Sequence, residues 1–184
     1  MTKPTPVELR IALVLTLALA APAWAAPRLA AAAETRQFTI PPSLAAEHEE
    51  LHAELGEAIR AGGKIGKAAQ HVAELLHPHF VKEEASALPP LGLLPRLAQG
   101  NVTPEMQAVL PMTDKLRAEL PQMLAEHTAI VAALEQFVQV ANQAGKPQYA
   151  RFADKLKLHA QTEEQVLYPS AIVVGELVRL RLEK

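Results

Sequence analysis

Apolar residues recur along this chain at steps of three and four, and they mark out four long amphipathic helices. Leu44, His48, Leu51, Leu55 and Ile59 form the first seam. Ser43 stands where a helix cap is expected, and Gly62-Gly63 where that helix should end. The second seam, from about Lys64, is Ile65, Ala69, Val72, Leu76, His79 and Glu83, and it should stop before Pro89-Pro90. Residues 87–103 carry Pro89, Pro90, Gly92, Pro95 and Gly100, so they read as a connection with a turn of helix near Leu93. Thr103-Pro104 opens a short helix that Pro111 is expected to end. Thr113 would cap the third long helix, whose seam is Leu116, Leu120, Met123, His127, Ile130, Leu134 and Phe137. Pro121 either kinks that helix or marks its start. Gly145-Lys146-Pro147 turns the chain into the fourth, with Tyr149, Phe152, Leu156, His159, Glu163 and Val166 on its seam. Val178 to Leu182 alternates like a strand, but the chain offers no strand to pair with it, so Ala171–Lys184 reads as a helical tail. The predicted class is all-α: an up-down four-helix bundle of two pseudo-repeated helical hairpins.

The start of the chain follows a different pattern. Lys3 and Arg10 precede an apolar run from Ile11 to Ala21, interrupted only by Thr16, and Ala23-Trp24-Ala25 is a small-x-small cleavage site. The run is shorter than the roughly 20 residues a spanning helix needs, and Pro22 breaks it. The expected organisation is a signal peptide over residues 1–25, a linker of little order over 26–42, and the bundle with its tail over 43–184. Export to the periplasm follows, with no stable membrane span after cleavage; an uncleaved signal acting as an anchor is the alternative.

Composition narrows the chemistry. A chain of 184 residues, 49% of them hydrophobic, can bury one full core. A formal charge of -2 gives no electrostatic case for nucleic acid. Cysteine is absent, which excludes disulfides, thiolate metal sites and a cysteine nucleophile.

The seams themselves carry the candidate site. Ala46-Glu47-His48 recurs 79 residues later as Ala125-Glu126-His127, and His79-x-x-x-Glu83-Glu84 recurs 80 residues later as His159-x-x-x-Glu163-Glu164. His48, His79, Glu83, His127, His159 and Glu163 thus take seam positions where Leu or Ile would be expected. Burying polar groups six times over is costly unless a partner compensates. A pair of metal ions would do so, with neutral imidazoles and ionised carboxylates as ligands. On a helix, His and Glu four apart share a face, so each such helix can offer a nitrogen and a bridging carboxylate. Nitrogen and oxygen donors alone favour iron, ahead of manganese or zinc.

Other polar residues are ambiguous. Glu84 and Glu164 point away from their seam, towards solvent or behind the ligands. Glu47 and Glu126 could accept an imidazole N–H bond or face water. His52, one turn after His48, is a fifth-ligand candidate or a flank residue. His71 and His77 read as surface, and Tyr168, off the seam, as packing.

The doubled His and His-x-x-x-Glu pattern, from Ser43 to Pro169, resembles the hemerythrin-like, or HHE cation-binding, domain family. That resemblance implies a non-haem di-iron centre with an oxo or hydroxo bridge. His48, His79, His127 and His159 would be terminal ligands, and Glu83 and Glu163 bridging ones. Oxygen carriers of the family have a fifth His and an Asp five residues after the last ligand His. This chain has Glu at both four and five, which leaves the second bridge between Glu163 and Glu164 and resembles the bacterial type tied to nitric oxide, oxygen and iron handling. The expected function is an exported di-iron protein binding oxygen, nitric oxide or peroxide for sensing, scavenging or iron handling. A di-iron oxidase or peroxidase, and a non-catalytic His-rich bundle holding structural metal, are the alternatives.

Overall fold

The computed structural model describes residues 38–183. The expected signal peptide and most of the linker lie outside the described residues. Four long helical segments account for most of the rest. Helix α1 spans Pro42–Arg60 and α2 spans Gly63–Lys82, continued by a π turn over Glu83–Ala87. A 3₁₀ turn over Pro89–Leu93, the short helix α3 (Leu94–Ala98) and another 3₁₀ turn over Pro104–Val109 make the connection. Helix α4 spans Leu110–Gln143. Helix α5 spans Pro147–Thr162, a π turn follows over Glu163–Leu167, and α6 spans Tyr168–Leu182. The tail is therefore helical, and it continues the fourth helix instead of being appended to it. No described helix is long and apolar enough to cross a membrane.

Several expected boundaries move. Ser43 does not cap α1; Pro41 precedes the helix and Pro42 opens it, where a missing N–H costs nothing. Pro111 does not end a helix. It lies in the first turn of α4, where proline is tolerated. Thr113 is accordingly inside that helix, and its hydroxyl donates to the Leu110 carbonyl at 3.1 Å. Pro121 neither breaks nor starts α4, which runs through it. The linker's last part is also packed: Phe38 is buried beside Leu93, Leu97 and Val178. Gly92 is required there, because a Cβ would stand 2.2 Å from the Thr39 carbonyl oxygen.

The core falls into layers along the bundle. Leu51, Leu55, Leu76, Phe80, Ile130, Leu134, Phe152 and Leu156 fill the end near the two helix turns. Leu88, Leu91, Leu116, Met123, Tyr168 and Ala171 fill a second layer. On α1, α4 and α5 the histidine of the seam falls between the residues of these two layers, and on α2 His79 lies at the edge of the first, next to Phe80. The predicted ligands thus lie in the middle of the bundle, with apolar side chains above and below.

Candidate metal centre

All six predicted residues meet there. His48, His79, His127, His159, Glu83 and Glu163 are each buried, with Glu83 and Glu163 at 0% exposure. Two groupings have donor atoms close enough to hold a metal ion: His48, His159, Glu83 and Glu163, and His79, His127, Glu83 and Glu163. Each grouping draws one histidine from each hairpin. The carboxylates belong to both. Glu83 places Oε2 3.7 Å from His48 Nε2 and Oε1 3.2 Å from His79 Nε2. Glu163 places Oε1 3.1 Å from His159 Nε2 and Oε2 3.4 Å from His127 Nε2. Glu164 is outside the cluster, so the geometry favours Glu163 over Glu164 as the inward carboxylate.

The local cause is the π turn. The Leu88 N–H bonds the Glu83 carbonyl at 2.9 Å, a five-residue step, and the Tyr168 N–H bonds the Glu163 carbonyl in the same way. Such turns widen a helix by one residue and are common at functional sites. Here both begin on the inward glutamates.

Behind each imidazole stands a further carboxylate. His48 Nδ1 faces Glu84 at 3.2 Å, and His127 Nδ1 faces Glu164 at 2.9 Å. His79 Nδ1 faces Glu126 at 2.8 Å, and His159 Nδ1 faces Glu47 at 3.3 Å. A carboxylate only accepts, so each Nδ1 donates; His48 Nε2 and His159 Nε2 keep their lone pairs for the centre, while His79 Nε2 and His127 Nε2 lie 2.8 Å apart, so without a metal one of the two donates to the other. This is the arrangement that orients histidines on metals and raises their basicity. Of the two readings left open for Glu47 and Glu126, the structure takes the imidazole contact, and Glu84 and Glu164 do the same work from the other two helices. Lys82 and Gln122 hold Glu126 in turn.

Tyr168 corrects the sequence reading. It is fully buried at the centre, its hydroxyl donating to Glu83 Oε1 and lying 3.4 Å from His79 Nε2 and 3.3 Å from His127 Nε2. It seemed off the seam because uninterrupted α geometry was assumed past Glu163. The signal that finds it is the five-residue step from Glu163 to Tyr168 between buried positions. His52 is not among the inward donors; it packs edge-on to Phe80, with ring centroids 5.0 Å apart. His71 is exposed, and His77 lies beside His52 on the surface.

The electrostatics describe a centre that needs a cation. Burial disfavours charge on His48, His79 and His159, yet the adjoining Glu83 and Glu163 outweigh it and raise all three. Burial, with the neighbouring Glu163 charge, pushes the Glu83 carboxyl up. Burial acts in the same direction on Glu163, but His127, His159 and His48 together hold it well below the usual carboxylate range. Burial and the two glutamate charges push the Tyr168 phenol far above its ordinary value. Five buried side-chain atoms of the cluster have no hydrogen-bond partner: His48 Nε2, His159 Nε2, Glu83 Oε2 and both oxygens of Glu163. Lone pairs left unmet at one point are the expected donor set of a cation on the His48–His159 side, and the grouping of His79 and His127 with the same two glutamates fits a second.

Comparison with known proteins agrees with the geometry. The model of the hemerythrin HHE cation binding domain matches residues 39–171. No curated protein and no solved structure matches the chain.

Proposed function

The chain belongs to the hemerythrin HHE cation-binding family, and from that premise we propose that it holds two iron ions in its bundle core and binds a small ligand there. The observation that carries this reading is the pair of buried donor groupings, each with two histidines, that share Glu83 and Glu163. His48 and His159 would hold one ion, His79 and His127 the other, with Glu83 and Glu163 spanning both. When bound, the pair supplies a Lewis-acidic, redox-active centre for oxygen, nitric oxide or peroxide. The chain supplies the rest. Four outer carboxylates orient the imidazoles, two apolar layers keep bulk water out, and Tyr168 holds Glu83 with its hydroxyl. The matched π turns and the matched Nδ1–carboxylate pairs support reading the bundle as two copies of one hairpin. We further propose an exported, periplasmic setting, motivated by the charged start, apolar run and Ala23-Trp24-Ala25 of the sequence. The role in sensing, scavenging or iron handling follows from which ligand binds.

The test is metal analysis and optical spectroscopy of protein made under iron-replete conditions, before and after oxygen and nitric oxide. Two irons per chain and oxo-bridge absorption are expected. Less than one iron per chain, with no such absorption, would remove the reading. N-terminal sequencing of the mature protein tests the export proposal; a start at or near Ala26 is expected.

A further inference from the structure

The two halves of the bundle differ on the outer side of their histidines. In the first half Phe80 stacks on His48 with ring centroids 4.0 Å apart and meets His159 edge-on at 5.8 Å. His52 closes against Phe80 at 5.0 Å, and His77 against His52 at 6.0 Å. At the corresponding places of the second half, Phe80 is replaced by Ala160, His52 by Val131 and His77 by Lys157. Three rings are thus exchanged for a methyl, an isopropyl and a flexible amine. In their place lies an opening of about 280 Å³, lined among others by His127, Val131, Lys157, Ala160 and Glu164.

We infer that this opening between α4 and α5 is the entrance by which a small anionic ligand reaches the His79–His127 side of the centre; the inference rests on the metal-binding reading above. Three observations converge on it. The first is room. At roughly 30 Å³ per water the opening takes a ligand of a few atoms with its hydration, and no bulky substrate. The second is charge. Lys157 is half-buried at the wall, while the facing carboxylate of Glu164 is engaged by His127 at 2.9 Å, so an arriving anion meets the ammonium. The third is the donor inside. The Tyr168 hydroxyl lies 3.3 Å from His127 Nε2 and 3.4 Å from His79 Nε2. Its counterpart in the first half is Leu88, which has no donor to offer. Both the opening, which reaches His127, and a hydrogen-bond donor are therefore on the same side, while on the opposite side Phe80 stacks on His48. The two metal positions are inequivalent, and the one held by His79 and His127 takes the ligand.

Azide uptake by the iron-loaded full chain tests this, followed by stopped-flow absorption with iron content measured on each sample. Ala160→Phe restores the aromatic plug and should slow association roughly tenfold or more while iron content stays at the wild-type level. Lys157→Glu changes only a half-buried wall residue, so it carries the test if the larger substitution fails to keep its iron. It should slow azide at low salt, with the difference vanishing at high salt as charges are screened. Loaded variants that bind azide at the wild-type rate overturn the entrance, as does a loaded wild type that binds no azide. A wild-type chain that takes up no iron instead removes the metal reading and the entrance with it.

Discussion

Returning the centre to apolar character should stabilise the metal-free protein and destabilise it relative to wild type when metal is present. The perturbation is Glu83→Met together with Glu163→Met, which keeps side-chain length and removes both buried carboxylates. In the metal-free wild type, three carboxylate oxygens of the pair, Glu83 Oε2 and both of Glu163, are buried without a partner. At about 1 kcal/mol each, the low end for an unmet buried polar group, they cost on the order of 3 kcal/mol. Replacing buried ionic groups by well-packed apolar ones of similar volume returns about 1–4 kcal/mol. For a domain of this size that is a rise in Tm of roughly 2–4 °C per kcal/mol. Metal reverses the order. An ion at a hundred times its Kd adds about 2.7 kcal/mol per site, so two sites add about 5 kcal/mol to the wild type and nothing to the variant. Urea denaturation of both proteins at one alkaline pH, with chelator and then with excess ferrous ion, reads both arms. A metal-free double variant that is less stable than metal-free wild type refutes the reasoning, because the cluster would then be a self-sufficient polar network.

Three further outcomes are expected. The metal-free protein should lose stability as pH rises from about 6 to 9: His48, His79 and His159 are raised in the folded state, so their contribution is complete below the ordinary value of 6.5 and is lost as pH climbs through the folded values. Metal loading should release protons over the same range, and a thermal scan in which the metal-free Tm climbs with pH contradicts both. Tyr168→Phe removes a hydrogen bond to Glu83 and should cost about 1.5–3 kcal/mol in the metal-free state by chemical denaturation; an unchanged midpoint means the bond is not made in solution. Gly175→Ala places a Cβ 2.2 Å from Thr113 Oγ1 and 2.7 Å from its Cβ, so α6 must move off α4 at a cost of about 1–3 kcal/mol. Adding Thr113→Ala should recover part of that loss, and a fully stable single variant would show that the helices do not approach so closely.

Periodicity made most of this arrangement readable before any coordinates. Six polar residues in apolar places located the centre, because only a buried partner justifies them. The pairing of histidines across hairpins was not readable, since seam position gives height on a helix but not which neighbour lies opposite. Glu84 and Glu164 were ambiguous for a related reason: their outward direction only becomes informative once the next helix is known to present His48 or His127 there. Pro111 misled because proline serves both to stop a helix and to open one, and Ser43 because serine is at home at a cap and inside the first turn. Tyr168 was missed because its position was counted at three and four residues where the backbone takes five.

That five-residue step also uncouples the two stretches of each helix that it joins. Each π turn advances the phase of everything after it by one residue, about 100° of rotation. Upstream, the phase is set by the metal-facing histidines; downstream, by Leu88 and Leu91 in one half and by Tyr168, Ala171, Val174 and Val178 in the other. The two stretches can therefore drift independently, and the tail could be rebuilt without disturbing the centre. A single-residue deletion between Glu163 and Tyr168 would let the turn close as ordinary α-helix with His159 and the phenol both kept in place, whereas one further inserted residue would swing the phenol out of the site. The phase jump falls on the corresponding glutamate in both hairpins, and Leu88 and Tyr168 stand at the same place after it, so one backbone device presents a leucine to the centre in one half and a phenol in the other.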